Sequence, residues 1–240
     1  MRFLTSAFEW KCLADTLKDI LTECFFLFEE KKITMNNVDP QKVVDVYYEE
    51  TPDPEKYICA TAFQFPVYIQ TLYRVLRGVK SKDTMEMSDL YDGSLQIIVY
   101  SEFGCPKNHI SLKPLKEEIP TYIRNPRTYE VGISMLNDQF YHIVHDLGAL
   151  SRQVTIHVED QTIQFKSRDE SGTESSYSQT FTELAPSYFF NNTYLLKFLE
   201  KYTKPGLQKF INIRMDKNLP LSVVYYLDRG FLEMTIAGLE

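Results

Sequence analysis

Apolar residues along this chain switch between two spacings. In four stretches they recur every three or four positions, which aligns them on one side of a helix. Residues 6–24 place Leu13, Leu17, Ile20, Leu21 and Cys24 on one stripe. Residues 65–78 do so with Ile69, Leu72, Val75 and Leu76 and stop at Gly78. Residues 135–148 use Leu136, Phe140, Ile143, Val144 and Leu147 and stop at Gly148. Residues 191–204 use Leu195, Phe198, Leu199 and Tyr202, with Asn191 or Asn192 placed to cap the start and Pro205-Gly206 to end the helix.

Between these stretches apolar and polar residues alternate with period two, the spacing of half-buried strands. Val43–Tyr47, Leu95–Tyr100, Thr155–Val158, Thr162–Phe165, Leu221–Tyr226 and Phe231–Ile236 are the clearest cases. Short polar turns at Glu29–Lys32, Glu159-Asp160 and Asp228-Arg229-Gly230 join several of them, which predicts antiparallel meanders. The order helix, meander, helix, meander then occurs twice, an approximate repeat of structure without a visible repeat of residues. From about Ser101 to Arg127 the pattern breaks, with Gly104, Pro106, Pro114, Pro120, Pro126 and a run of charges, and this stretch reads as a connection. The expected division is residues 1–115, a connecting loop 116–127, and residues 128–240. The fold class is α+β, with two helices packed on antiparallel sheets in each half.

Composition adds limits. The chain has 240 residues, 44% of them apolar and 25% charged, enough for a sizeable core in an ordinary globular protein. Sixteen Tyr and sixteen Phe favour strands. A net charge of −7 excludes a protein that coats nucleic acid with its whole surface, but leaves room for a local basic face. Cys12, Cys24, Cys59 and Cys105 lack the paired spacing of a zinc site and read as buried thiols of an intracellular protein. Glu9, Lys11 and Asp15 follow too soon after Met1 for a signal-peptide core, and no apolar run approaches the roughly 20 residues that span a bilayer.

The charge distribution is more informative than its sum. Opposite the apolar stripe, the first helix turns out Lys11, Asp15 and Lys18, and the second Gln70, Arg74 and Arg77, with Lys80 and Lys82 just beyond. The third shows Asp138, His142 and His145, and the fourth Lys197, Lys201 and Lys204. Any amphipathic helix has a solvated charged face. Cations gathered on helix faces of an acidic chain nevertheless suit contact with phosphates, which flexible Lys and Arg neutralise without reading bases.

Several segments, in order, resemble the proliferating cell nuclear antigen family of DNA sliding clamps. Leu13–Ile20 is similar to the family's first helix, and Ile33–Val44 to its strand, Asp-centred turn and strand. Tyr73-Arg74-Val75-Leu76-Arg77-Gly78 resembles the basic second helix, Phe140–Leu147 the opening helix of the second half, and Asn218–Tyr226 a late strand before the C-terminal segment Ile236-Ala237-Gly238. The resemblance runs from about residue 6 to the end. It implies two similar clamp domains and a ring of three subunits, with helices inside and sheets outside. Its partners would be double-stranded DNA, bound without regard to sequence, a DNA polymerase, a clamp loader, and a ligase or nuclease. The setting would be a nucleus or a viral DNA replication compartment, or a prokaryotic cytoplasm.

The same resemblance assigns roles to residues. Lys11, Lys18, Arg74, Arg77, Lys80, His142, His145, Lys197, Lys201 and Lys204 would line the DNA hole. Edge strands at about Asn108–Lys113 and Ser175–Thr180 would pair between subunits, bringing in Asn108, Ile110, Leu112, Ser175, Tyr177 and Gln179. Val38, Val43, Pro126, Tyr129, Pro220, Ile236 and Ala237 would form a pocket for partner peptides that carry an apolar plug and aromatic anchors. Three departures stand out: His142 and His145 at commonly basic positions, Asp45 where the family tends to have an apolar pocket residue, and Gly238 in place of a common proline.

An enzyme is the first alternative. His142-x-x-His145-Asp146 has the spacing of metal ligands on one helix face, but no third ligand, nucleophile elbow or glycine-rich phosphate loop accompanies it. The expectation is therefore a protein without catalytic residues, metal or cofactor. The second alternative is a clamp-derived transcription or checkpoint subunit that does not encircle DNA.

Overall fold

A computed structural model describes residues 1–116, 122, 124, 126–203 and 206–239. Its contacts divide the chain into two compact units. The first comprises Met1–Lys42, Val46–Arg124 and Leu227–Leu232, and the second Val43–Asp45, Asn125–Tyr226 and Glu233–Glu240.

Among the described residues one motif occurs four times: a strand runs straight into a helix, and three strands come after it. The first copy is β1 (Arg2–Ser6), α1 (Ala7–Leu17), β2 (Glu23–Phe28), β3 (Ile33–Val38) and β4 (Val44–Glu50). After a two-residue strand β5 (Tyr57–Ile58), the second is β6 (Phe63–Tyr68), α2 (Ile69–Leu76), β7 (Thr84–Asp89), β8 (Leu95–Tyr100) and β9 (Pro106–Leu112). The third is β10 (Val131–Leu136), α3 (Asn137–Leu150), β11 (Gln153–Glu159), β12 (Thr162–Arg168) and β13 (Glu174–Thr180). The fourth is β14 (Phe190–Leu195), α4 (Leu196–Tyr202), β15 (Phe210–Met215), β16 (Leu221–Leu227) and β17 (Gly230–Ile236). The α+β class and the antiparallel meanders expected from the sequence are what the chain forms.

Three helices are shorter than their periodicity predicts, and each difference traces to strand pairing. The apolar stripe of α1 continues into Ile20, Leu21 and Cys24, all buried, but the helix ends at Leu17 in a turn and Cys24 belongs to β2. The aromatic run Phe25-Phe26 pairs with β6, where Phe25 stands opposite Pro66. Pro66 would be tolerated in the first turn of a helix, but here it pairs with β2 in an edge strand, where its missing N–H costs no ladder bond. Asn191-Asn192-Thr193-Tyr194 does not cap α4. It forms β14 against β11, with the Thr155 and Thr193 hydroxyls 2.9 Å apart. In each case tertiary strand pairing overrides a local helical pattern. The Ser101–Arg127 stretch is also not all connection, because it contains β9.

Ser6 caps α1, its Oγ accepting from the Glu9 N–H at 3.3 Å. The other helices start without a side-chain cap and, being 7 to 14 residues long, depend on packing. α1 packs on α2 in the first unit and α3 on α4 in the second. The first core is built around Trp10, with Phe3, Phe26 and Tyr48 at centroid distances of 5.0 to 6.3 Å. In the second, Tyr225 donates to Asn137 Oδ1 at 3.1 Å, so this buried phenol is satisfied. Cys24 and Cys59 are buried as expected, but Cys12 is half-buried and Cys105 is exposed; all four are free thiols. No helix among the described residues is long and apolar enough to cross a membrane.

The sheet edges differ in whether the chain covers them. In the first unit β5-β1-β7-β8-β9 is one sheet and β6-β2-β3-β4 lie in order in the other; in the second, β13-β12-β11-β14 form one sheet and β10-β15-β16-β17 lie in order in the other. Residues 227–232 run along the end of β4 in the first unit. There Thr51 N donates to Arg229 O at 2.7 Å, and a Cβ at Gly230 would stand 1.8 Å from Glu49 O, so only glycine fits. In the second unit Val43 O accepts from Ala237 N at 3.4 Å, at the end of β17. β14 is covered by Leu239, whose N–H donates to Thr193 O at 2.8 Å. β9 and β13, the last strands of the second and third motifs, stand at sheet edges with no backbone partner on their outer sides among the described residues.

Candidate functional site

The residues singled out in the sequence fall into three sets. The first lies on helix faces, those of α1 and α2 in the first unit and of α3 and α4 in the second. Arg74, Arg77 and Lys80 are exposed at the end of α2, and none is in an ion pair among the described residues. On α1 the cations are engaged. Lys11 Nζ donates to Val79 O at 2.9 Å and stands over the Phe8 ring. Lys18 Nζ lies 2.6 Å from Asp15 and 3.1 Å from Asp19, over the ring of Tyr73, with only 16% of its side chain exposed.

On α3, His142 and His145 are exposed; the ring of Tyr141 lies parallel to that of His145 at 5.7 Å and edge-on to that of His142 at 5.6 Å. On α4, Lys197 is exposed and Lys201 half-buried, both near the ring of Phe198. Lys204 lies outside the described residues. Among those residues no group of three or more His, Cys, Asp or Glu is placed to hold a metal ion.

The second set lies on the open edges. On β9, Asn108 is exposed, Ile110 half-buried and Leu112 buried, so Leu112 can offer an interface only its backbone. On β13, Tyr177 is exposed and Ser175 and Gln179 half-buried. α3 braces this edge: Tyr177 Oη donates to Asp146 Oδ2 at 2.7 Å, and Gln139 Nε2 to Gln179 Oε1 at 2.9 Å. The accepting carboxylate of Asp146 pushes the Tyr177 phenol upward in pKa.

The third set lies on a surface of the second unit that holds most of the expected pocket positions. In the second unit Val43, Tyr129 and Pro220 are half-buried, Pro126 and Ala237 exposed, and Ile236 fully buried, so Ile236 shapes this surface only from beneath. Val38 is half-buried in the first unit. A cavity of about 280 Å³ opens between Arg127, Thr128, Tyr129, Val131, Gly132 and Arg214. Burial, then Glu233, raises the Tyr129 phenol. What the sequence does not disclose is that Asp45 is ion-paired: Arg127 Nη2 lies 2.9 Å from its Oδ2, and Arg127 Nη1 donates to Thr235 Oγ1 at 2.9 Å. The one available signal was a carboxylate at an otherwise apolar position.

Comparison with known proteins decides the family. The profile described as "Proliferating cell nuclear antigen, C-terminal domain" matches residues 124–238. The chain is 25% identical over 232 residues to the proliferating cell nuclear antigen of Chaetomium thermophilum, covering 90% of this chain and 88% of that one. It is 23% identical over 242 residues to that of Saccharomyces cerevisiae, covering 95% and 93%. With the DNA polymerase sliding clamp of Thermofilum pendens the identity is 22% over 230 residues, covering 92% and 91%. Residues 124–238 belong to the proliferating cell nuclear antigen family, and the similarity to its members covers 90% or more of the chain. Each of the four motifs contributes one helix and one terminal strand.

Proposed function

We propose that three copies of this chain close into a ring that encircles duplex DNA, with the helix faces towards phosphate and the outer surface recruiting a polymerase, a loader and a ligase or nuclease. The clamp domains would be residues 1–115 and 128–240, joined by 116–127. One observation carries the reading. Of the four terminal strands, the ends of β4 and β17 have neighbours within the chain, whereas β9 and β13 present bare edges. An exposed seven-residue edge invites pairing with another chain. Pairing β9 of one copy with β13 of the next is head-to-tail, and such contacts generate a ring when the rotation closes. Residual charge points the same way: Lys113 flanks one edge and Asp169 and Glu170 the other, while Lys107 is already paired with Asp83 and Glu174 with Arg168.

The test is solution mass by light scattering at several concentrations, for the natural chain and for Tyr177→Pro. The natural chain should reach the mass of a trimer. Proline at 177 removes a ladder donor and should release monomers. An unchanged mass in that variant would refute the strand assignment. A natural chain that stays monomeric throughout would instead favour a clamp-derived subunit that does not encircle DNA.

A further inference from the structure

The pocket surface of the second unit is not the apolar bed that a hydrophobic plug requires. Along the ends of β4 and β17 side chains alternate between faces, so Val43 and Asp45 share a face, as do Thr235 and Ala237. Val43 and Ala237 are in backbone contact, and two residues further along Thr235 Oγ1 donates to Asp45 Oδ2 at 3.4 Å. An ion pair therefore stands beside the exposed apolar shoulder of Ala237. Within it the two charges are unequally presented. Both Nη atoms of Arg127 are engaged, one on Asp45 and one on Thr235, and its side chain is 27% exposed. Asp45 is 47% exposed, and its Oδ1 takes no hydrogen bond among the described residues. The next carboxylate along this face of β17, Glu233, is buried and held by Ser222 at 2.8 Å and Arg214 at 3.6 Å. Asp45 is thus the group that meets an incoming ligand.

An aliphatic plug seated here would strip water from that oxygen and supply no donor, which makes burial unfavourable. A lysine or arginine supplies both donors and the opposite charge, and a charge-assisted hydrogen bond is stronger than a neutral one. We propose that the partner segments docking on this pocket anchor through a basic side chain placed on Asp45 Oδ1, in place of an aliphatic plug. This rests on the reading of the surface as a partner-peptide pocket and specifies the chemistry of its ligand.

The experiment uses the full chain and two fluorescently labelled synthetic peptides with the same aromatic anchors, differing only in lysine or leucine at the plug position, with binding read by anisotropy. The lysine peptide should bind at least tenfold more tightly. Asp45→Asn, which keeps the hydrogen bond to Thr235 possible, should reduce that preference to about twofold. Asp45→Leu combined with Arg127→Met, which leaves no unpaired charge behind, should reverse it. Equal or tighter binding of the leucine peptide by the natural chain, or a lysine preference that survives Asp45→Asn, overturns the proposal while leaving the pocket standing. Failure of both peptides to bind any of the three proteins removes the pocket assignment and this proposal together.

Discussion

α1 and α2 pack against each other in the first unit, and both turn cations away from the core, yet the two helices use their charges in opposite ways. Every cation singled out on α1 has a job inside the fold: Lys11 holds the end of α2 through Val79 O, and Lys18 is clasped by Asp15 and Asp19. Arg74 and Arg77 on α2 hold nothing among the described residues. Counting charges on a helical wheel makes the faces look alike. What separates them is whether a nearby carboxylate or carbonyl has already claimed the cation. α1 is therefore the structural helix and α2 the one whose charge remains for a ligand. Changes around α1 should alter stability and spare DNA, and changes on α2 should do the reverse.

The largest effect is expected beneath the first turn of α1. Glu9 there shares a cavity of about 330 Å³ with Glu50, Asp53, Asp228 and Arg229. Glu50 is 8% exposed, and burial pushes its pKa up from 4.5 to about 7, although its carboxylate accepts from the Tyr48 hydroxyl. Burial and then Asp228 also raise Glu9. A carboxyl whose pKa is higher folded than unfolded binds its proton more tightly in the native state. Native stability therefore falls as pH rises from about 4.5 to about 7 and levels off above. Glu50→Gln keeps an acceptor for Tyr48 and has no charge to bury. It should stabilise the fold by up to about 3 kcal/mol at pH 8, from roughly 1.4 kcal/mol per pKa unit, and by nearly nothing at pH 4.5. Chemical denaturation at the two pH values measures this. A gain of equal size at both would mean that the carboxylate is not the source.

Next in size is the effect of the α2 face. Replacing Arg74 and Arg77 together by alanine should weaken binding to a short linear duplex at least tenfold at low salt. It should also flatten the log–log dependence on salt by about 1.8, since each phosphate contact contributes about 0.9. The thermal midpoint should barely move, because exposed cations contribute little to stability. Natural affinity with an unaltered salt slope would show that α2 faces something other than DNA.

The contrast between the two helices also explains why some of the molecule was readable from the sequence and some was not. The helices and meanders announced themselves because period 3.6 and period 2 are local properties, and turns such as Asp228-Arg229-Gly230 are local as well. The helix ends were not readable, because what stops them is a strand partner: β2 claims Cys24 and, through β6, Pro66, while β11 claims Thr193. The site divides along the same line. Spacing alone puts Arg74 and Arg77 on one exposed face. The partner of Lys11 is 68 residues away and that of Arg127 is 82 residues away, distances that no periodicity spans. Asp45 could be marked as out of place, but its partner could not be named.

The smallest effect, and the sharpest test of the contrast, belongs to Lys18. By spacing it lies on the same outward face as Lys11, and it counts as a basic residue of the helix surface. By geometry it is spent: two carboxylates lie within 3.1 Å, and the ring of Tyr73 lies 4.8 Å from its ammonium. Lys18→Met retains most of the stem that covers Tyr73 and removes the charge. Stability should fall by less than about 1 kcal/mol, since Asp15 and Asp19 are both partly solvated and can return to water. DNA affinity should change by less than twofold, with the salt slope unmoved, because the lost cation was already neutralised within the fold. A slope that flattened by about 0.9, as for one lost phosphate contact, would mean that Lys18 leaves its carboxylates when DNA arrives, and the contrast between α1 and α2 would not hold in the complex.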